Sequence, residues 1–417
     1  MNISKISRSI VVVIFVVFII FLSFLNVSNI LNKGDDVTVP VTSTLVKVGF
    51  VFAVIFLVGI YMYIKDKLYK KHVKRNLSFI YRYIYIISVL LGASIFSSKN
   101  MINQMSDSKM VFHVIVTMIT GLLIKKIIFN VSKSDMLSVF GMFTCTLFPL
   151  INVESKVYIF SMILSILLLS SVYIFQLLID ELKQKGIKTK KYIIETILLG
   201  IFAGISTIFG INVLTWTIII VLTLFVTYNL DNTHINFPKK FMASLTQSKR
   251  ESLYKIERIN INKIIIVICI SIIILFLVNI VFSTIIVKMN NNSSIKILIE
   301  QIESNKLNNV NKDVKVIVHT FLINSKAFVT CSPMFYLVIF IYILFMEILA
   351  FCLRRRYDTK TTIMKIILLA LFVTISIFNL NIYYFQPILT ILLVLIAIVN
   401  TSNIYLNREE RIKMLVA

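Results

Sequence analysis

Apolar runs long enough to cross a bilayer recur along nearly the whole chain, and no other feature restricts its fold so strongly. A helix needs about 20 mainly apolar residues to traverse the hydrocarbon core. Segments of that kind fall near 9–31, 44–64, 77–97, 110–130, 135–152, 157–180, 193–209, 211–228, 263–287, 335–353, 364–380 and 382–400. The expectation is an all-α polytopic transmembrane helical bundle of about twelve spans, in which the loops of the 4/5 and 7/8 pairs are very short. Lipid offers no hydrogen-bond partners, so such segments must cross as helices. Composition agrees: 58% of the residues are hydrophobic and the mean hydropathy is +0.91, beyond what the core of a soluble 417-residue chain requires.

Charge then orients the spans. The formal net charge is +24, which in a soluble protein would point to nucleic acid. Here the basic residues gather in short loops between apolar runs, the positive-inside pattern, and nucleic-acid binding is set aside. With the N-terminus inside, the loop after the second span carries Lys65, Lys67, Lys70, Lys71, Lys74 and Arg75. The loops after the fourth and sixth carry Lys125, Lys126 and Lys133, then Lys183, Lys185, Lys188, Lys190 and Lys191. The same alternation places a basic loop at 229–262, Arg354–Arg356 and the tail with Arg408 and Arg411 inside, so both termini are expected in the cytoplasm. Lys, Ile and Asn are abundant together, a bias expected of an AT-rich coding sequence, so single lysines carry little weight.

Acids divide the other way. Asp35, Asp36, Asp107 and Glu154 fall in outer loops, as does the extracytoplasmic segment 288–334 with Glu300, Glu303 and Asp313. Glu347 alone falls well inside a span. In the outer segment the spacing of Ile295, Ile297, Ile299 and Ile302 suits an amphipathic helix on the membrane surface. The chain reads as a single integral membrane domain, 1–417, without a separate soluble domain or an internal repeat. Its first apolar run follows Lys5 and Arg8, exceeds a signal-peptide core and lacks an A-x-A cleavage site, and so reads as an uncleaved span. Cys145, Cys269, Cys331 and Cys352 show no CxxC spacing and no neighbouring His, which predicts neither a disulfide framework nor a zinc site.

Motifs with strong chemical content are absent: no nucleophilic triad, P-loop, dinucleotide fingerprint or HExxH helix is present. Isolated polar groups remain. In "NQMSDSKMVFHVIV", residues 103–116, Asp107 stands at the outer mouth of a span. A carboxylate there could act as general base on an acceptor hydroxyl, provided the leaving group departs without a proton, as a lipid phosphate does. Equally, Ser106 or Asp107 could cap a helix starting at Met110, with Lys109 softening the charge. His113 follows Asp107 by six residues, about 240° around a helix, so the two share no face. It aligns instead with Thr117 and Thr120 in a polar stripe, which could line a cavity but more often supplies interhelical hydrogen bonds.

Glu347, in "IYILFMEILAFC", is a functional candidate because a charge in hydrocarbon is costly, and it could equally be neutral and hydrogen-bonded to a neighbouring helix. Arg82 is near enough to the inner end of its span to snorkel. The cluster "NIYYFQPIL", 381–389, puts Tyr383 and Tyr384 at a membrane interface, where tyrosines commonly anchor helices. Pro387, inside the first turns of that helix, would free backbone groups, and such breaks often border cavities.

The order of these signals resembles the polytopic GT-C class of membrane glycosyltransferases, related to protein mannosyltransferases and bacterial lipid-sugar-dependent transferases. "NQMSDSKMVFHVIV" is similar to a stretch "P-x-S-D-x-x-x-Y-x-x-A" that follows an early span in bacterial members. "LFPLINVESKVYIFSMILSILLLSSVYIF", 147–175, looks like the segment "P-x-x-x-x-S-x-x-Y-x-D" entering a span. "LLGIFAGISTIFGINVLTW", 198–216, is similar to a glycine-punctuated span that usually ends in Lys-Pro, and "IYYFQPILTILLVLIAI" resembles a closing "R-Y-x-x-P" span. The resemblance covers most of the chain from about residue 77 onward. There are departures: Phe160 stands where the family tends to have an acid, Gly210-Ile211 replaces Lys-Pro, and Tyr383 precedes Tyr384 in place of Arg. The stretch between Asp107 and the fifth span is also short for the family's outer-loop helices.

What the resemblance implies is a multi-pass bacterial plasma-membrane enzyme that moves a sugar from a polyprenyl-phosphate donor to an envelope acceptor on the outer face. Asp107 would be the catalytic base of an inverting displacement. Lys109, His113, Lys156, Tyr158, Tyr383 and Tyr384 would contact substrate, and Lys99, Lys109 or Lys156 would steady the phosphate. Some family members use a divalent metal, although no second carboxylate stands close enough to Asp107 in sequence to argue for one. Two other readings stay open: a transporter or flippase of envelope precursors, which Glu347 favours and the missing repeat disfavours, and a GT-C relative that has lost catalysis.

Overall fold

The computed structural model describes residues 14, 107–132, 134, 137–139, 141–142, 155–182, 189–209, 211, 213–231, 261–289, 333–352, 359–378 and 382–405. Among the described residues the protein is all helix, with no strand. The helices are α1 (Asp107–Ser132), α2 (Ser155–Leu182), α3 (Thr189–Ile208), α4 (Val213–Asp231), α5 (Ile261–Met289), α6 (Pro333–Cys352), α7 (Thr359–Phe378) and α8 (Ile382–Tyr405). Four stretches are long and apolar enough to cross a membrane by length and composition: Val114–Ser132, Ser161–Leu182, Lys191–Ile208 and Ile261–Phe282. The apolar stretches of α4, α6, α7 and α8 are shorter. The loops 229–262 and 288–334 lie almost wholly outside the described residues.

Apolar side chains alone do not specify how such helices pair, because lipid tails are as apolar as leucine. Close backbone approach and hydrogen bonds between helices do so instead. The chain separates into two compact units, one of Met1–Ile166, Phe328–Leu349 and Tyr383–Thr401, the other of Leu167–Ala327, Ala350–Ile382 and Ser402–Ala417.

In the second unit α3 packs along α5. A methyl group at Gly200 would come within 2.8 Å of the Ser271 carbonyl oxygen, and one at Gly204 within 2.8 Å of Val278 Cβ, so only glycine admits this approach. One turn on, Asn279 donates a 2.6 Å hydrogen bond to Thr207 Oγ1. The pairs 200/271, 204/278 and 207/279 advance together, and the two helices are parallel. The N–H groups of Phe209 and Ile211 both bond to the Ser206 carbonyl, at 3.2 and 3.5 Å, where α3 ends ahead of α4. The buried residues of α4 recur as Thr215, Trp216, Ile219, Ile220, Thr223, Leu224 and Thr227, a helical stripe that packs against α5 and α7. Gln176, in the last third of α2, donates to the sulfur of Met364, early in α7, at 3.2 Å.

In the first unit Tyr336 and Thr390 are hydrogen-bonded at 3.0 Å, and Tyr342 and Thr401 at 2.8 Å. Both positions advance along their helices, so α6 and α8 also run in the same sense. From Ile388 to Ser402 α8 is buried on every face. Ile128 of α1 and Ile398 of α8 both close on Gly141, where a methyl group would collide with each.

α5 shows the converse pattern, with one buried stripe and a broad exposed apolar face. α5 buries Ile264, Val267, Ser271 and Leu275 on one stripe and exposes Ile265, Ile266, Ile273, Phe276, Leu277, Ile280 and Val281. Most hydroxyls inside the helices bond to the carbonyl one turn back, as Ser165 does to Ser161 at 2.8 Å and Thr196 to Tyr192 at 2.7 Å. That spends the polar group without breaking the helix.

Candidate functional site

Asp107 is the first residue of α1, three positions before the expected start at Met110. It therefore belongs to the first helical turn, where unpaired backbone N–H groups favour a carboxylate by about 0.3–1 kcal/mol. That gives the acid a structural reason to be there, independent of any chemistry. Lys109 shares the turn, and His113 follows in the second turn. Thr117 and Thr120, the rest of the polar stripe, are both buried, and Thr120 Oγ1 has no hydrogen-bond partner.

The remaining candidates occupy the same kind of position. Lys156 and Tyr158 lie in the opening turn of α2, and Tyr383 and Tyr384 in that of α8. Pro387 sits in the second turn of α8, so the Tyr383 carbonyl lacks its usual helical donor. The side chains of Asp107, Lys109, His113, Lys156, Tyr158, Tyr383 and Tyr384 are outside the described set, and only their helix positions are given. All seven belong to the unit containing Met1–Ile166 and Tyr383–Thr401. Arg82, Lys99 and Cys331 lie outside the described residues.

Glu347 sits on α6, one residue after the fully buried Met346 and partly exposed itself. Its neighbours on the outward side are Leu344, Phe345 and Ile348, all exposed. Among the described residues no group of three His, Cys, Asp or Glu could hold a metal ion.

Sequence reasoning missed a buried acid in a stretch long and apolar enough to cross a membrane. Glu195, on α3 within Lys191–Ile208, is 7% exposed, and its Oε2 has no hydrogen-bond partner. Nearby, Lys191 donates to Glu181 Oε1, tying the start of α3 to the end of α2. The signal was present as Lys191 and Glu195 at i, i+4 spacing, but both fall at the edge of an apolar window that opens at residue 193.

No family model, curated protein or solved structure matches the chain.

Proposed function

We propose that the protein is a polytopic glycosyltransferase of the bacterial plasma membrane, using a polyprenyl-phosphate sugar as donor and an envelope acceptor on the outer face. The observation that carries the reading is positional: seven candidate residues from three helices all fall in the first two turns of α1, α2 and α8, within one unit. Helix N-termini present unpaired N–H groups and the positive end of the macrodipole, which suits the phosphate of a lipid-linked donor. Asp107 would take the proton of the acceptor hydroxyl as the lipid phosphate leaves. Lys109 and Lys156 would steady the developing phosphate charge, and the tyrosines of α8 would border the sugar.

The accompanying topology has about twelve spans with both termini in the cytoplasm. Its support is the pairing of helices. α3 and α5, and likewise α6 and α8, are parallel with one described helix between them in sequence, as alternation of the expected spans requires. The end of α2 beside the start of α7 fits the same scheme, since five further spans would reverse the direction. Under that alternation α1, α2 and α8 all begin on the outer side.

The test is sugar transfer from a panel of radiolabelled polyprenyl-phosphate sugars by membranes containing wild-type protein or Asp107→Asn at matched expression. Transfer by wild type and its loss in the mutant would support the proposal. A folded wild type inert toward a broad panel would turn the reading to transport, or to a relative without catalysis. In that case loss of function in Glu347→Gln but not in Asp107→Asn would mark a transporter.

A further inference from the structure

Lys191 stands near two carboxylates and bonds to one of them. Its ammonium donates to Glu181, the next-to-last residue of α2, which is itself buried at 8% exposure. One turn further along α3, Glu195 is equally buried, and its Oε2 makes no hydrogen bond. The charges that act on Glu195 are Glu181, Lys191 and Asp180, two of them of its own sign. The Lys191 side chain is 62% exposed, so its long stem is not locked by packing.

We propose that Glu181, Lys191 and Glu195 form a two-position latch between α2 and α3, in which the ammonium of Lys191 passes between the two carboxylates. Either position leaves one buried carboxylate without its cation, so neither arrangement is strongly preferred. A carboxylate with an unpaired oxygen in a water-poor setting is costly, and an ammonium one helical turn away is the nearest remedy. The i, i+4 spacing of Lys191 and Glu195 places both on one side of α3. Asp180, partly exposed, adds negative potential that holds the ammonium at this mouth in both positions. The latch lets the end of α2 and the start of α3 shift against each other while keeping an ion pair at all times. It rests on none of the residues assigned to sugar transfer.

The test is a double-substitution cycle on the full chain in lipid nanodiscs, read by thermal unfolding. Glu181→Gln is expected to move the midpoint by little in the wild-type background, because Lys191 turns to Glu195. In the Glu195→Gln background the same change is expected to lower the midpoint by several degrees more. Equal shifts in the two backgrounds would overturn the latch. Should the double variant fail to assemble, acetylation of Lys191 followed by mass spectrometry decides the matter on the single variants. The latch expects Lys191 in Glu181→Gln to be modified within about twofold of the wild-type rate; modification several-fold faster would overturn it.

Discussion

The indole N–H of Trp216 donates a 2.6 Å hydrogen bond to the hydroxyl of Ser206, which in turn donates to the Ala203 carbonyl at 2.7 Å. Trp216 is 1% exposed, so the bond is made where water cannot replace it. It joins the last turn of α3 to the first turn of α4 and fixes the rotation of one against the other. The four-residue connection at 209–212 thus separates two packed helices.

Replacing Trp216 by Phe is expected to remove this bond and leave a void beside Ser206. The hydroxyl keeps its own acceptor, so only the indole bond and part of the packing are lost. A loss of about 2–3 kcal/mol follows from one buried hydrogen bond plus the cavity term. Chemical unfolding in mixed micelles measures it, and Trp216→Leu should cost more than Trp216→Phe.

Gly204→Ala tests the close approach of α3 and α5. The added methyl would meet Val278 at its Cβ and Cγ1, and Leu275 at its carbonyl; of these the Cβ and the carbonyl cannot rotate away. Overpacking of this kind costs about 1–3 kcal/mol. Val278→Ala in the same chain is expected to restore a good part of it, because it removes Cγ1 and lets the helices settle. Thermal midpoints of the two singles and the double would show the rescue as non-additivity.

Helix existence was readable in the sequence, whereas helix partners were not. Eight of the apolar windows coincide with α1 to α8 to within a few residues, because a lipid-spanning helix is marked by its own composition. The largest discrepancies are five residues, at the end of α8, expected at 400 and found at Tyr405, and at the start of α7, expected at 364 and found at Thr359, where the first turn, Thr-Lys-Thr-Thr, is polar and escapes an apolar window. Asp107 was met as a residue ahead of a helix and is instead its first member, an error of the size that helix ends commonly carry. The bonds of Asn279 to Thr207 and of Tyr342 to Thr401 depend on how each helix is rotated toward its neighbour. Nothing in the local sequence encodes that rotation. The i, i+4 spacing of Lys191 and Glu195 was legible, but the burial of Glu195 was not, since it is imposed by the packing of α3 and not by residues beside it in the chain.

Tyr342→Phe isolates one such bond. Thr401 already donates to the Ala397 carbonyl at 2.9 Å, which leaves Tyr342 as donor to the Thr401 oxygen. Removing the phenol therefore leaves no donor unpaired. The expected cost is about 0.5–1.5 kcal/mol, the usual net worth of such a bond. Thr401→Val, which takes away both the oxygen that accepts from the buried phenol and the bond of Thr401 to the Ala397 carbonyl, should cost more, and unfolding measurements on the two variants compare them directly.

Side of insertion is measurable at α1 and α3. With the native cysteines replaced, a single cysteine at Lys109 should react with a membrane-impermeant maleimide in intact cells. A single cysteine at Lys191 should react only after permeabilisation, since positive-inside alternation puts the start of α3 in the cytoplasm. Labelling of both from outside would break the alternation between 109 and 191 and with it the proposed outer placement of Asp107.

Asp107→Asn separates the two roles open to this carboxylate. As a first-turn acid it contributes about 0.3–1 kcal/mol to α1 through the helix dipole. As a general base it would contribute about 10²–10⁴-fold to turnover. Asparagine keeps the size and loses only the charge that acts on the helix dipole, so the stability change is expected to stay below about 1 kcal/mol, a few degrees at most in the unfolding midpoint. A transfer rate lowered a hundredfold or more, with that midpoint nearly unchanged, assigns the proton to Asp107. A rate reduced only in proportion to the lost stability leaves it as the residue that starts α1, and the base must then be sought elsewhere.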